Sequence, residues 1–301
     1  MSCMHHIERD AVRKTETITA SDFEGESRRH AKIVAARAKS FSKAIERWLK
    51  KGARKKVRAM IRDIRQFGPE GMRIVRKADE DEWDEEEILR VLQLYGVRQI
   101  ADSGREVAGL EWYLAPTVRD TYLLEKRVLI QRLSSTLEKE MQKAVGTALG
   151  TWFISEPNLT INQISERLRK WLTVSSAETT PLALKPLGKK FTSYGLGARA
   201  RMIARTEINQ ARNRGRLEAG KIIGTQYWIW IAETDGLSGD RQHEALDGQV
   251  RRTGEAFVNP ATGAVLEYPG DAGAEASEII NCRCTIRAIT ADQAKQFGVG
   301  V

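Results

Sequence analysis

His243, Cys282 and Cys284 are the side chains of this sequence best suited to chemistry, and each sits among other polar groups. His243 falls in the run Asp240-Arg241-Gln242-His243-Glu244-Ala245-Leu246-Asp247-Gly248, and the cysteines in Asn281-Cys282-Arg283-Cys284. Two thiolates and an imidazole, completed by Asp240 or Asp247, would make a zinc site. The Cys-x-Cys spacing is a weaker signal for it than paired Cys-x-x-Cys. The other reading is two small buried hydrophobes, a common fate of cysteine. A disulfide between them is disfavoured, because residues two apart in an extended strand have α-carbons roughly 6.5–7 Å apart. His243-Glu244 opens like a His-Glu-x-x-His zinc helix, but Asp247 stands where the second histidine belongs. Asp240, His243, Glu244 and Asp247 could instead seat a divalent cation for phosphodiester chemistry. The plainest alternative makes Asp240 and Asp247 turn caps and His243 a hydrogen-bonding brace. No catalytic constellation is complete, so the brace is preferred and no enzyme activity is predicted.

The elements that must position these groups can be read around them. Tyr227–Ala232 is aromatic and β-branched and predicts a strand, broken by a loop at Asp235–Gly239. Asp247-Gly248 predicts a tight turn, and Asn259, Pro260 and Gly263 a second one between Phe257 and Val265-Leu266. Asn281–Ile289 predicts a final strand, with Cys282, Cys284, Ile286 and Ala288 on one face. Upstream, a helix from about Gly197 to Ala219 carries Arg205 and Glu207. At i, i+2 these two do not share a face and need separate roles. One of them is expected to brace the Asp240–Asp247 loop through buried ionic hydrogen bonds. Met202, Ile203, Ile208, Ala211 and Leu217 are expected to face the core. Arg199, Arg201, Arg205, Arg212, Arg214 and Arg216 take the other sides.

The order Trp230, Asp240-Arg241, His243, Leu246-Asp247-Gly248, Phe257, Tyr268-Pro269-Gly270-Asp271 and Ile280-Asn281-Cys282-Arg283-Cys284 resembles the C-terminal domain of phage Mu F-like head morphogenesis proteins. The helix Ile203–Arg216, with its Ala-Arg-Thr-Glu run, fits the same pattern. The resemblance covers roughly residues 155 to 290. In one departure the loop Gly236–Gly239 is longer than the usual Asp-x-x-x-Arg approach to the histidine. The resemblance implies a motif formed by Arg205, Glu207, Trp230, Asp240, Arg241, His243, Asp247, Gly248, Asn281, Cys282, Arg283 and Cys284.

The chain has 301 residues, is 41% hydrophobic and 30% charged, and carries a net charge of +9, which suits a soluble folded protein of one large or two modest domains. No apolar run approaches the roughly 18 residues that span a bilayer, so no membrane partner is expected. The opening Met1–Asp10 lacks the apolar core of a signal peptide. Three cysteines, Cys3 among them, argue against a disulfide framework and for synthesis in a reducing cytoplasm. Between Arg28 and Lys77 there are 18 lysines and arginines against three carboxylates, whereas eight of the nine residues Asp79–Glu87 are acidic. Basic helices favour polyanions through counterion release. DNA is therefore a candidate partner, with Lys50, Lys51, Lys55 and Lys56 as its contacts. The bland alternative is a solvated helix face.

In order, residues 1–24 predict a mobile arm, and residues 25–150 a basic helical domain. Apolar residues at three- and four-residue steps predict helices over 24–50 and 53–67, interrupted at Lys51-Gly52, then 85–100 and 116–149. The carboxylates before Glu85 suit that helix's N-terminus. Residues 151–290 form the α+β domain: a helix capped by Thr160 with Gln163, a long exposed loop over 173–190, then the motif region. Residues 291–301 form a short tail. The fold class is α+β, an N-terminal helical bundle followed by a small α+β domain with a short antiparallel sheet.

The resemblance implies a minor head protein of a tailed bacteriophage. Its partners would be the portal and procapsid proteins, and its place the host cytoplasm during assembly and then the virion, at the portal vertex or capsid interior. It would aid DNA packaging or ejection. The alternatives are a metal-dependent nuclease or ADP-ribosyltransferase-like effector, since related domains occur fused to toxins, and a non-specific DNA-binding module. Few residues follow the motif, so no appended toxin domain is expected. No cofactor is predicted; zinc on His243, Cys282 and Cys284 is the competing possibility.

Overall fold

A computed structural model of the chain describes residues 17–68, 83–176, 178–233 and 242–299. Its helices are α1 (Ala20–Phe67), α2 (Glu85–Leu92), α3 (Arg98–Ala108), α4 (Pro116–Ser155), α5 (Ile161–Trp171), α6 (Ser193–Ile222), α7 (Ala276–Ile279) and α8 (Ala291–Gln296). Its strands are β1 (Tyr227–Ile231), β2 (Val250–Arg252), β3 (Phe257–Val258), β4 (Val265–Leu266) and β5 (Thr285–Ile289). A helical N-terminal part thus precedes an α+β part, and no strand occurs before Tyr227 among the described residues.

Contacts divide the chain into two compact units that do not follow a single cut in sequence. One comprises Phe41–Val91 and Leu123–Arg201 and holds helices and loops but no strand among its described residues. Here α1 runs straight through Lys51-Gly52, where the sequence suggested a break. Gly52 is retained for contact: an added Cβ would lie 2.2 Å from the Trp83 ring, so only a bare backbone lets Trp83 pack there. Trp83 in turn stacks at 5.5 Å on Trp48, whose indole N–H donates to the Asp84 carbonyl at 2.8 Å. The Asp84 carboxylate accepts from the Glu87 amide at 2.8 Å, so this part of the acidic run caps α2. Along α4, Ile130, Leu137, Met141, Val145, Ala148 and Trp152 are buried. Their four- and three-residue steps track one face of an α-helix. That stripe carries α4 on to Ser155, past Gly150, where the sequence placed a junction. Thr160 and Gln163 form the expected capping box on α5. The expected loop over 173–190 includes a 3₁₀ turn, Leu182–Leu187, which buries Leu184 and Leu187.

The other unit comprises Met1–Ser40, Leu92–Tyr122 and Met202–Val301. Its sheet has strand order β2-β1-β5, all antiparallel, with Trp230 opposite Ile286 and Ile231 opposite Thr285. The central strand β1 is buried on both faces, which is why it reads as an unbroken apolar run. One face packs Trp228 and Trp230 with Leu217, Leu246, Phe257, Tyr268, Cys282, Cys284 and Ile286. The other packs Tyr227 and Ile229 with Ile18, Val250, Ile289 and Ala294. One expectation is corrected here. Ile18 is buried, its amide donates to Gln296 Oε1 at 3.2 Å, and α1 starts at Ala20, so the predicted arm is structured from Ile18; residues 1–16 lie outside the described residues. The tail contributes α8 and its Ala294 to the same core. The helix expected over 85–100 continues to Ala108 through a π-helical turn at Gln93–Val97, where Gly96 lies under Tyr122: a Cβ there would sit 1.9 Å from its hydroxyl.

Candidate functional site

The candidate site is assembled at one edge of the sheet by short irregular segments, each held from behind by α6. The strand β5 starts at Thr285, not at Asn281 as predicted. β1 ends at Ile231, so the residues before Thr285 have no strand to pair with. Asn281 instead takes a left-handed conformation, φ 62°, which Asn tolerates better than other L-residues. Helix α6 clamps this turn: Arg205 Nη1 donates to Asn281 Oδ1 at 2.8 Å, and the Asn281 amide donates to Thr206 Oγ1 at 2.9 Å. Arg205 thus braces the cysteine turn, while the brace expected from Glu207 or Arg205 to the Asp240–Asp247 loop involves residues 240 and 241, outside the described residues. Glu207 is buried on α6.

Past the turn, Cys282 and Cys284 project to the same side despite the missing strand. No disulfide joins them, and each is 2% exposed. Both sulfurs face one nitrogen: His243 Nδ1 is 3.6 Å from Cys282 Sγ and 3.7 Å from Cys284 Sγ. His243 opens the 3₁₀ turn His243–Leu246, directly after Gln242 in a left-handed conformation, and is itself 2% exposed. Its ring stands edge-on to Trp230 at 5.6 Å. Its Nε2 meets Glu278 Oε2 at 2.8 Å, a carboxylate delivered by the four-residue helix α7. Asp247 Oδ1 accepts from the Ala232 amide at 2.7 Å, which ties the end of β1 to the turn at Gly248. Gly248 follows at φ 74°, where a side chain would be strained. Asp240 and Arg241 lie outside the described residues.

Electrostatically the cluster is polarised. Burial disfavours a charged His243, but Cys284 and Glu278 outweigh it and raise its pKa above the ordinary value. Cys284 is held well below an ordinary thiol, first by the hydrogen bond to Cys282 and then, against the cost of burial, by His243. Burial lowers the Arg283 guanidinium, with Arg205 adding like charge. A thiolate, a second sulfur and an imidazole nitrogen at one point can bind a soft metal ion or act as a sulfur nucleophile with its base.

Behind this site lies a buried polar layer that the sequence did not reveal. The arginines of α6 were expected to lie away from the core, yet Arg212, Arg214 and Arg216 are all buried. Arg212 makes a two-pronged pair with Glu106, at 2.8 and 2.5 Å, and its Nε donates to His30 Nδ1 at 3.0 Å. His30, so fixed, donates from Nε2 to Asn209 Oδ1 at 2.6 Å. Burial, reinforced by Arg216 and Arg212, keeps His30 neutral by pushing its pKa well below the ordinary value. Arg216 donates to Glu26 Oε1 at 2.6 Å and to the Ile286 carbonyl at 2.8 Å. Burial would raise the Glu26 pKa, but Arg216 and Arg29 bring it down to about 2. Asn213 Nδ2 donates to the carbonyls of Pro269 and Cys284, at 3.1 and 3.0 Å. These bonds pin β5 and the cysteine turn to α6.

The lysines proposed for DNA are mostly engaged within the protein. Lys50 pairs with Glu46 at 2.6 Å, Lys51 with Glu87, and Lys56 is buried against Glu138 at 2.7 Å. Lys55 is exposed.

The segment that holds this cluster, α5 through most of β5, is also the one a family model recognises. Residues 159–287 match the model described as Phage Mu protein F like protein. No curated protein and no solved structure matches the chain. Through residues 159–287 the chain is therefore similar to the Phage Mu protein F like family, a likeness that suggests a phage head morphogenesis protein.

Proposed function

We propose that this protein is a minor head protein of a tailed bacteriophage that associates with the portal during procapsid assembly and remains in the virion. In this reading His243, Asp247, Asn281, Cys282 and Cys284 hold a rigid docking module together. The observation that carries the reading is the family match over the segment that builds the cluster. A structural role for the cluster is supported by its burial: His243, Cys282 and Cys284 are each 2% exposed. None of the described helices is long and apolar enough to cross a membrane.

Co-expression with the phage portal and procapsid proteins tests this. The chain should sediment with procapsids, and His243→Ala should lower thermal stability and incorporation together. Full-length, folded protein that never associates with portal or procapsids would end the assembly reading. A His243→Ala variant that is stable and fully incorporated would end the brace.

A second reading concerns DNA inside the head, to be packaged or ejected past this protein. Exposed Arg58, Arg62 and Arg65 on α1, with Arg169 of α5, line a cleft of about 390 Å³. Repeating at four and three residues, the three α1 arginines share a helix face and suit a phosphate backbone better than the engaged lysines.

A further inference from the structure

The convergence of both cysteine sulfurs on one ring nitrogen has more content than a structural brace requires. A neutral imidazole nitrogen has one lone pair and can accept one thiol proton well. The two sulfurs lie 3.6 and 3.7 Å from that nitrogen, so three metal-binding donors converge on one point. A metal ion among them would engage all three at once. With zinc–sulfur bonds near 2.3 Å and zinc–nitrogen bonds near 2.0–2.1 Å, a tetrahedral site separates sulfur from nitrogen by about 3.6 Å. The observed separations match that edge, and all three donor atoms lie within 4.8 Å of one another.

The surroundings fit as well. Glu278 accepts the Nε2 proton of His243, which leaves the Nδ1 lone pair directed at the sulfurs. This is the carboxylate–imidazole arrangement that orients metal-bound histidines. Glu278 is itself buried, 6% exposed, so its position is fixed by packing. Two thiolates neutralise a divalent ion, and each thiol gives up its proton when the ion binds. Sulfur-rich, closed surroundings select zinc over harder cations.

We propose that His243 Nδ1, Cys282 Sγ and Cys284 Sγ are the protein ligands of one zinc ion, with Glu278 as the carboxylate that orients His243. Three protein ligands leave one coordination position for water or another donor. The ion ties the 3₁₀ turn after β1 to the turn before β5, closing the sheet edge where backbone pairing has stopped.

The test uses the full chain with Cys3→Ser, so that every thiol counted belongs to the cluster. Protein expressed with zinc and dialysed should retain about one zinc per chain by elemental analysis. Replacing it by Co²⁺ should give sulfur-to-cobalt charge-transfer bands, which report thiolate ligation directly. Glu278→Gln should retain those bands but weaken zinc binding by about 10–100-fold. The cobalt measurement needs no change to the ligands, so it stands even if Cys282→Ser or Cys284→Ser fails to fold. Folded, reduced protein that holds no zinc and gives no charge-transfer bands on Co²⁺ titration overturns the proposal. Rapid alkylation of Cys284 in zinc-supplemented protein also overturns it, and would point to a sulfur nucleophile.

Discussion

His243 and Glu26 are two buried titratable residues whose partners decide their charge. Glu26 gives the cleaner experiment, because its carboxylate is paired with Arg216 and Arg29. Its folded pKa of about 2 lies below the ordinary glutamate value of 4.5, so its stabilising contribution is fully present above pH 4.5 and is lost as pH falls toward 2. The shift corresponds to about 3 kcal/mol at most. Urea unfolding of the wild type should therefore show a marked loss of stability between pH 5 and pH 2. Glu26→Gln should be less stable at pH 6, since it leaves Arg216 short of its partner, and should lose less on acidification. An equal acid sensitivity in both proteins would show that Glu26 is not the titrating group. None of this was legible in the sequence. Glu26 and Arg216 are 190 residues apart, and nothing in either neighbourhood announces the other. His243 and the two cysteines did stand out, because thiols and imidazoles are few and carry chemistry wherever they fall. Glu278 did not, for it is one carboxylate among 40 acidic residues and sits on a helix too short to leave a periodic signal.

Among the elements, α6 organises the α+β unit by close approach as well as by hydrogen bonds. At Gly215 an added Cβ would lie 2.2 Å from Ser103 Oγ and 2.3 Å from the Ile100 carbonyl oxygen, so α6 and α3 touch backbone to backbone. Gly215→Ala must push the helices apart and should cost about 1–3 kcal/mol, despite the better helix propensity of alanine. Gly146→Ala on α4, where a Cβ meets nothing within 4 Å, is the control and should be neutral or slightly stabilising. Equal melting temperatures for the two variants would refute the close packing. Helices were the most legible elements, since their apolar spacing survives in sequence, but their limits were not. The predicted break at Gly52 failed because a glycine under a tryptophan looks, in sequence, like a helix breaker; the predicted end at Leu149 failed because the buried stripe runs on to Trp152 past Gly150, where a Cβ would meet nothing within 4 Å. The start of β5 was missed for a related reason: strand character at Asn281 needs a neighbour that β1 does not supply.

For the whole molecule, the question is how a protein with net charge +9 meets its partners. If the cleft of Arg58, Arg62, Arg65 and Arg169 takes DNA, binding will be independent of sequence and fall steeply with salt. Reversing Arg58, Arg62 and Arg65 to glutamate should abolish it. Replacing them with alanine should lower the slope of log K against log salt by roughly three if each meets one phosphate. Reversing Lys50, Lys51 and Lys56 should chiefly damage stability, because those ammonium groups face Glu46, Glu87 and Glu138. Salt-insensitive binding, or none at low salt, would direct attention to a protein partner. The overall class, helices first and a small sheet last, was readable from the switch in apolar period near Tyr227. The grouping of Met1–Ser40 with Met202–Val301 was not, since local patterns carry no information on which distant segments meet.

That grouping has a consequence in time. The ribosome releases Glu26 and His30 long before it makes Arg216, Asn209 and Arg212, and β5 emerges later still. At about 5–20 residues per second, Glu26 waits roughly 10–40 s for the guanidinium that will neutralise it. Through that interval the first turns of α1 have none of their α6 partners. The α+β unit can close only once β5 has emerged, and premature termination before Asn209 leaves its opening segment without its α6 partners.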